Sequence, residues 1–125
     1  MRKKIAGIYN NSFKDLPVKS TCKTDGFNKH GLCFYAVLLD LKNIKADRRA
    51  IQQALLAENI GSAVHFYPMH IQPYYAKKYG YKKGDFPHSE KFYERTLSLP
   101  MATGMTEEDI EDVIKAVRKV VGYYS

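Results

Sequence analysis

Residues 32–41 read LCFYAVLLDL, the most continuous apolar run in the chain. The run is rich in aliphatic and aromatic side chains, and Gly31 and the pair Lys42-Asn43 bound it. A strand that is buried on both faces of a sheet carries such an uninterrupted run, whereas a half-exposed strand alternates with polar residues. The sequence therefore predicts a central strand over residues 32–41, with Cys33 inside it as a buried, inert thiol.

Helical patterns surround this strand. Proline, asparagine and glycine mark where most of them begin or end. The last helix has the strongest signal, because Thr106 and Asp109 have the spacing of a capping box and a valine-rich stripe follows at helical spacing. Helices are predicted over residues 2–14, from Asp47 to about Asn59, over residues 72–79, from Pro87 to about Thr96, and after Thr106. Short extended segments are predicted over residues 62–66 and 97–99.

The order of these elements indicates the fold class. Helices and short strands alternate, and no repeat or long linker divides the chain. The prediction is an α+β fold in which a small, mostly antiparallel sheet is packed with helices. Residues 1–125 are expected to form one domain, since 125 residues suffice for a single ordinary core.

Composition and charge limit the possible functions. Hydrophobic residues make up 45% of the chain and charged residues 26%, as in globular proteins. The net charge is +7, but the basic residues are scattered and accompany no RNA-binding motif, so no specific nucleic-acid partner is expected. No apolar run approaches the roughly 20 residues that cross a bilayer, and the N-terminal residues do not resemble a signal peptide. We therefore expect a cytoplasmic protein without a membrane partner.

The stretch VHFYPMHIQPYY, residues 64–75, is the candidate binding segment. Its histidines and aromatic rings combine flat apolar faces with hydrogen-bonding tips, which suits a sugar ring or a nucleobase. Two prolines would stiffen the segment and lower the cost of ordering it. The alternative is that these rings simply pack beneath a surface loop. Alternation along the chain predicts that Val64 points to the core and His65 to solvent.

Other chemistries lack their residues. Two histidines without a Cys/His cluster are too few for a structural zinc site, so no metal is expected. The chain has no GxSxG elbow and no phosphate-binding glycine loop, and neither cysteine lies in a CxxC pair. The acidic residues that follow Thr106 are explained by the start of a helix. No catalytic residue is therefore assigned in this chain.

Several segments follow one another in the order of a known family. They read RKKIAGIYNNSFKDLP, LCFYAVLLD, ENIGSAVHFYPMHIQPYY and GDFPHSEKFYERTLSLPMATGMTEEDIEDVIKAV. Together they resemble the C-terminal third of the DegT/DnrJ/StrS family of PLP-dependent nucleotide-sugar aminotransferases. The resemblance covers essentially the whole chain, and it implies the small C-terminal domain of a fold type I aminotransferase.

The resemblance also implies a division of labour. In this family a large domain holds pyridoxal phosphate (PLP) through a lysine, and that domain is absent here, so no cofactor-binding residue is expected and the chain alone is expected to be inactive. The small domain is expected to form a wall of the nucleotide-sugar cleft in amino-sugar or polysaccharide biosynthesis. His65 and Phe66 would lie closest to the nucleotide-diphosphate sugar, with Tyr67 and His70 nearby. Many relatives have histidine where this chain has Cys33, which leaves that position without an assigned role.

Two other functions remain open. The chain could be a non-catalytic binding or interaction module that retains this fold. A basic RNA-binding domain is the third interpretation, and it rests on the net charge and the ten tyrosines. A homo-oligomer is possible in each case.

Overall fold

A computed structural model describes residues 1–22 and 30–125. The elements are α1 (Arg2–Ser12), β1 (Val18–Ser20), β2 (Tyr35–Leu39), α2 (Arg48–Ala57), a 3-10 turn (Met69–Ile71), α3 (Pro73–Tyr79), α4 (Pro87–Arg95), β3 (Thr96–Leu99) and α5 (Glu107–Tyr124). Together they make an α+β fold with a small antiparallel sheet and packed helices, so the predicted fold class is confirmed.

The sheet has the order β1-β2-β3, and both pairs of strands are antiparallel. Val18 pairs with Leu39 at one edge, and Tyr35 pairs with Leu99 at the other. β2 is the central strand, and four of its five residues are buried. The apolar run was therefore a sound guide, because a strand with neighbours on both sides and covered faces has no position for a charged side chain.

The helices cover this sheet and form one apolar core with it. The capping box of α5 is present in both directions, since Thr106 Oγ1 accepts from the Asp109 amide at 3.1 Å and Asp109 Oδ2 accepts from the Thr106 amide at 2.7 Å. Tyr9 of α1 donates a hydrogen bond from its hydroxyl to the carbonyl of Pro100 at 2.9 Å, which joins α1 to the segment after β3. The largest fully buried side chains are Tyr9, Tyr35, Ile5, Leu39, Ile51, Leu55, Leu97, Val121 and Thr96.

The central strand is shorter than the apolar run, and this corrects one prediction. β2 begins at Tyr35, and Cys33 lies before it with an exposed side chain. Leu32 has a φ of 50°, a left-handed conformation, so the backbone does not enter the strand at this residue. The prediction of a buried Cys33 was wrong because strand pairing, and not hydrophobicity, decides where β2 starts.

Two further segments differ from their predictions. β1 was not predicted, since three residues with Lys19 at their centre carry no strand signal of their own. Residues 62–66 were predicted as a short strand, but among the described residues only Ala63 makes a bridge, to Ser98. Val64 nevertheless packs against the core, while His65 is partly exposed.

No helix within the described ranges is long and apolar enough to cross a membrane.

Candidate functional site

The candidate segment starts at the edge of the sheet. Ala63 and Ser98 exchange two backbone hydrogen bonds, at 3.0 and 2.7 Å, which attach the chain to β3 two residues before His65. Pro68 then precedes the 3-10 turn, and Pro73 is the first residue of α3, where its missing N–H leaves no intrahelical bond unmade. The bridge at Ala63 and the two prolines therefore restrict the backbone that carries the side chains of residues 64–72.

The imidazole of His65 is held on three sides. Its Nδ1 lies 2.8 Å from Oγ of Ser98, a buried residue of β3. The ring of Phe34 is stacked on it, with centroids 4.6 Å apart and planes inclined by 21°. Phe66 approaches edge-on at 4.7 Å. These contacts fix the orientation of the His65 ring, and because the residue is partly exposed, the ring can still contact a ligand.

The side chains of Phe66 and Tyr67 are exposed next to His65, and together with His65 and Phe34 they are called the aromatic surface below. Phe66 is 72% exposed and Tyr67 46% exposed, which is unusual for large apolar side chains. Tyr67 packs edge-on against Tyr93 with centroids 5.3 Å apart. The guanidinium of Arg48 lies over the ring of Tyr93, with Cζ 4.7 Å from the ring centroid. A positive charge therefore stands next to the aromatic surface.

His70 does not belong to the exposed surface. It is 7% exposed, and its Nε2 lies 2.8 Å from Oε1 of the buried Glu90. The same Oε1 accepts a hydrogen bond from the backbone N–H of Gly84 at 2.7 Å. The hydrogen bond from His70, followed by the one from Gly84, holds the pKa of Glu90 below its usual range. His70 therefore fastens the 3-10 turn to α4 and to the loop before it.

An aromatic pocket of about 380 Å³ adjoins His70. Lys78 Nζ lies 5.3 Å from the ring centroid of Tyr79, one of the lining residues, and 5.5 Å from that of Tyr74. The pocket is lined by Met69, His70, Tyr75, Tyr79, Tyr81, Phe86 and Ser89. The rings that line this pocket thus form a second aromatic cluster, with Lys78 at its border.

A larger groove of about 870 Å³ lies elsewhere, between α5 and the connecting segments 58–61 and 100–105. Its charged groups are already engaged, because Glu58 pairs with Lys119 at 2.7 Å and Asp112 with Lys115 at 3.8 Å. The Asp109 carboxylate accepts from the helix N-terminus. We therefore place the candidate site at the aromatic surface, where rings and hydrogen-bonding tips converge, and not at the larger groove.

Sequence reasoning did not identify three residues of this site. Ser98 and Phe34 hold His65, and Arg48 supplies the nearby charge. Ser98 lies 33 residues from His65, so only the β3 bridge brings the two together. Local patterns carried no signal for any of them.

The structure superposes on a part, about a third, of the chains of sugar aminotransferases. The putative sugar aminotransferase Spr1654 of Streptococcus pneumoniae, in its PMP-form, superposes with a TM-score of 0.88 at 23% identity over 99% of this chain and 31% of that one. PseC of Helicobacter pylori, an aminotransferase involved in the biosynthesis of pseudoaminic acid, gives a TM-score of 0.82 at 21% identity over 98% of this chain and 32% of that one. These identities establish a shared architecture.

Sequence comparison establishes the family. Residues 1–118 match the DegT/DnrJ/EryC1/StrS aminotransferase family, and the chain belongs to it. The spore coat polysaccharide biosynthesis protein SpsC of Bacillus subtilis is 42% identical over 121 residues. Protein MJ1066 of Methanocaldococcus jannaschii is 42% identical over 120 residues. Each alignment covers 96% of this chain and 31% of the relative, so the chain spans about a third of the length of these proteins.

The described residues do not fit the cofactor that the family implies. An aldimine-forming lysine is activated by desolvation or by a neighbouring cation inside a cleft. Every lysine in residues 1–22 and 30–125 is exposed. Over the same ranges no three His, Cys, Asp or Glu side chains converge as metal ligands, and the expected absence of a metal remains a prediction.

Proposed function

We propose that this chain supplies one wall of the nucleotide-sugar cleft of a PLP-dependent aminotransferase and is inactive by itself. His65, Phe66 and Tyr67 face the nucleotide-diphosphate sugar. His70, which was also expected near the substrate, supports the wall from behind through its bond to Glu90. Residues 1–125 act as one domain, and the cofactor and its lysine belong to protein outside this chain.

The partly exposed imidazole of His65 between two phenylalanine rings is the observation that carries this proposal. Aromatic rings beside a hydrogen-bonding tip suit the apolar face and the hydroxyls of a sugar, or the face of a nucleobase. A large exposed aromatic surface is typical of a site that binds a ligand or another protein. Membership of the aminotransferase family makes a nucleotide sugar the natural occupant.

Charge supports the same substrate class. Arg48 lies over Tyr93, next to Tyr67, and it has no ion-pair partner within residues 1–22 and 30–125. Lys78 borders the neighbouring pocket. A diphosphate would be attracted by these cations, which increases the rate of association more than the final affinity.

The proposal is tested by joining this chain to the remainder of a longer relative. Residues 1–125 would replace the segment of SpsC that aligns with this chain, and the chimera would be assayed with PLP, glutamate and a panel of nucleotide-diphosphate keto sugars. We expect activity in the chimera and none in the 125-residue chain. His65→Ala should raise the KM for the sugar nucleotide roughly tenfold, the effect of losing one well-placed hydrogen bond, while the cofactor spectrum stays the same.

Tyr123→Ala is the matched control, because Tyr123 is an exposed aromatic residue of α5, outside the aromatic surface. Equal KM values for the His65 and Tyr123 variants would contradict the substrate-wall role. If the chimera were inactive while the chain alone bound nucleotide sugars tightly, the alternative of a non-catalytic binding module would be favoured.

A further inference from the structure

The contact between His65 and Ser98 has a chemical consequence. A neutral imidazole carries one N–H, on either Nδ1 or Nε2, and the hydrogen bonds of the ring select between them. Nδ1 of His65 faces Oγ of Ser98 at 2.8 Å. Nε2 has no hydrogen-bond partner within residues 1–22 and 30–125, so the bond at Nδ1 determines whether Nε2 carries a proton.

Ser98 restricts the choice because its hydroxyl is buried. It is 4% exposed, and its Oγ has no other hydrogen-bond partner within residues 1–22 and 30–125. If Nδ1 carried the proton and donated it to Oγ, the hydroxyl proton of Ser98 would lack an acceptor in this buried position. Leaving a buried donor unpaired is unfavourable. Donation from the hydroxyl to Nδ1 satisfies both groups.

We propose that Ser98 is a positioning residue that holds His65 in the Nε2–H tautomer, so that the aromatic surface presents an N–H donor to its ligand. The backbone of Ser98 is clamped by its two bonds to Ala63, and Phe34 fixes the plane of the ring. The donor is therefore set in place before any ligand binds, which lowers the ordering cost of binding.

The inference rests on the proposed function for the identity of the ligand. An N–H donor selects an acceptor, which is a sugar hydroxyl oxygen or a diphosphate oxygen of the nucleotide sugar. The imidazole in this tautomer would not accept a proton from a ligand hydroxyl at Nε2. The site thus discriminates in favour of ligands that place an oxygen acceptor opposite His65.

The tautomer is measured on the 125-residue chain by two-bond and three-bond ¹H–¹⁵N correlation spectra of ¹⁵N-histidine-labelled protein above the pH at which its histidines are protonated. We expect the Nε2–H pattern for His65 in the unaltered chain. Ser98→Ala should lose this preference and show a mixture, and Ser98→Thr, which keeps the hydroxyl, should restore it. An Nδ1–H pattern in the unaltered chain overturns the inference even if no variant folds.

Thr96→Val is the matched control. Thr96 is another buried hydroxyl of β3, and its Oγ1 has no hydrogen-bond partner in the part of the chain that the structure describes. Removing that hydroxyl should leave the spectrum of His65 unchanged. A spectrum that changes equally in the Thr96 and Ser98 variants would mean a general effect on β3, and it would overturn the specific role of Ser98.

The kinetic arm uses the SpsC chimera. Ser98→Ala should raise the KM for the sugar nucleotide by a factor of roughly 2–10, the value of one ordinary hydrogen bond, with kcat unchanged. If His65→Ala raises KM and Ser98→Ala does not, the positioning role is overturned. If His65→Ala leaves KM unchanged, the proposed function fails, while the tautomer spectra still decide separately what Ser98 does to the imidazole.

Discussion

Nε2 of His70 and Oε1 of Glu90 are 2.8 Å apart, although the two residues are separated by 20 positions in the chain. Both side chains are buried, at 7% and 11% exposure. The pair connects the 3-10 turn to α4, and the amide of Gly84 binds the same carboxylate oxygen. One carboxylate therefore ties together three segments behind the aromatic surface.

This arrangement makes stability depend on acidic pH. The pKa of folded Glu90 lies below the ordinary value of 4.5, mainly because His70 donates a hydrogen bond to it and then because Gly84 does. A depressed carboxyl pKa stabilises the fold above about pH 4.5, and this stabilisation is lost as the pH falls through the folded value. We expect the melting temperature of Glu90→Gln, followed by circular dichroism, to fall less steeply below pH 4.5 than that of the unaltered chain.

Glu94→Gln is the control for this experiment, since Glu94 is an exposed carboxylate on the same helix. Its pH-stability curve should follow that of the unaltered chain. If the Glu90 and Glu94 variants gave superimposable curves, the connection through Glu90 would contribute nothing to stability.

Leu55 and Leu56 allow a matched test of the core. They are neighbours on α2, but Leu55 is 1% exposed and Leu56 is 67% exposed. Leu55→Ala should lower the free energy of unfolding by roughly 2–5 kcal/mol, because it removes buried methyl groups and leaves a cavity. Leu56→Ala should change it by less than about 0.5 kcal/mol. Urea titrations of both variants measure the difference, and similar midpoints would contradict the packing of α2.

The capping box of α5 should be measurable as well. Thr106→Ala removes the side-chain acceptor for the Asp109 amide and is expected to cost about 1 kcal/mol of unfolding free energy. Thr103→Ala, at an exposed position in the turn before the helix, is the control and should be close to neutral. A loss of stability in both variants would indicate that the turn, and not the cap, is responsible.

The chain should not capture PLP. Every lysine in residues 1–22 and 30–125 is exposed, so none of them has the desolvated surroundings that activate an aldimine-forming lysine. After incubation with PLP and gel filtration, we expect no stoichiometric visible absorption band of a Schiff base. Borohydride reduction and mass spectrometry serve as a second readout. A single lysine modified in full would show that the chain holds the cofactor by itself.

Nucleic acid should bind only weakly. The basic residues are dispersed, and four of the five exposed tyrosines in the described residues lie between positions 67 and 81, the fifth being Tyr123. For a labelled single-stranded RNA at about 150 mM salt we expect a Kd in the non-specific range of roughly 10⁻⁴ to 10⁻⁶ M, with a steep loss at higher salt. Nanomolar binding that depends on sequence would instead support the RNA-binding interpretation.

Sequence was most informative where local chemistry decides the structure. β2 and α5 followed from an apolar run and from a capping box, because burial on both faces and helix-terminal hydrogen bonds are properties of contiguous residues. β1 did not, because its three residues become a strand only through pairing with β2. The start of β2 was predicted too early for the same reason, and Cys33 was therefore wrongly predicted to be buried.

The candidate site shows the same contrast between features set by neighbouring residues and features set by residues distant in sequence. The segment 64–75 was recognised from its rings and prolines, which are local. The burial of His70 depends on Glu90, and the orientation of His65 depends on Ser98, and both partners are distant in sequence. Residue types alone could not separate a histidine that faces outward from one that supports the fold.

The shortness of β1 also bears on how the protein behaves in solution. An unpaired strand edge is a template on which another chain can add a strand and aggregate. The open side of β1 is only three residues long, Pro17 precedes it, and Lys19 at its centre is exposed. At the opposite side of the sheet, Ala63 is already bonded to β3. The edge at β1 is therefore a poor template for the addition of a strand, and the Ala63 bridge occupies part of the edge at β3.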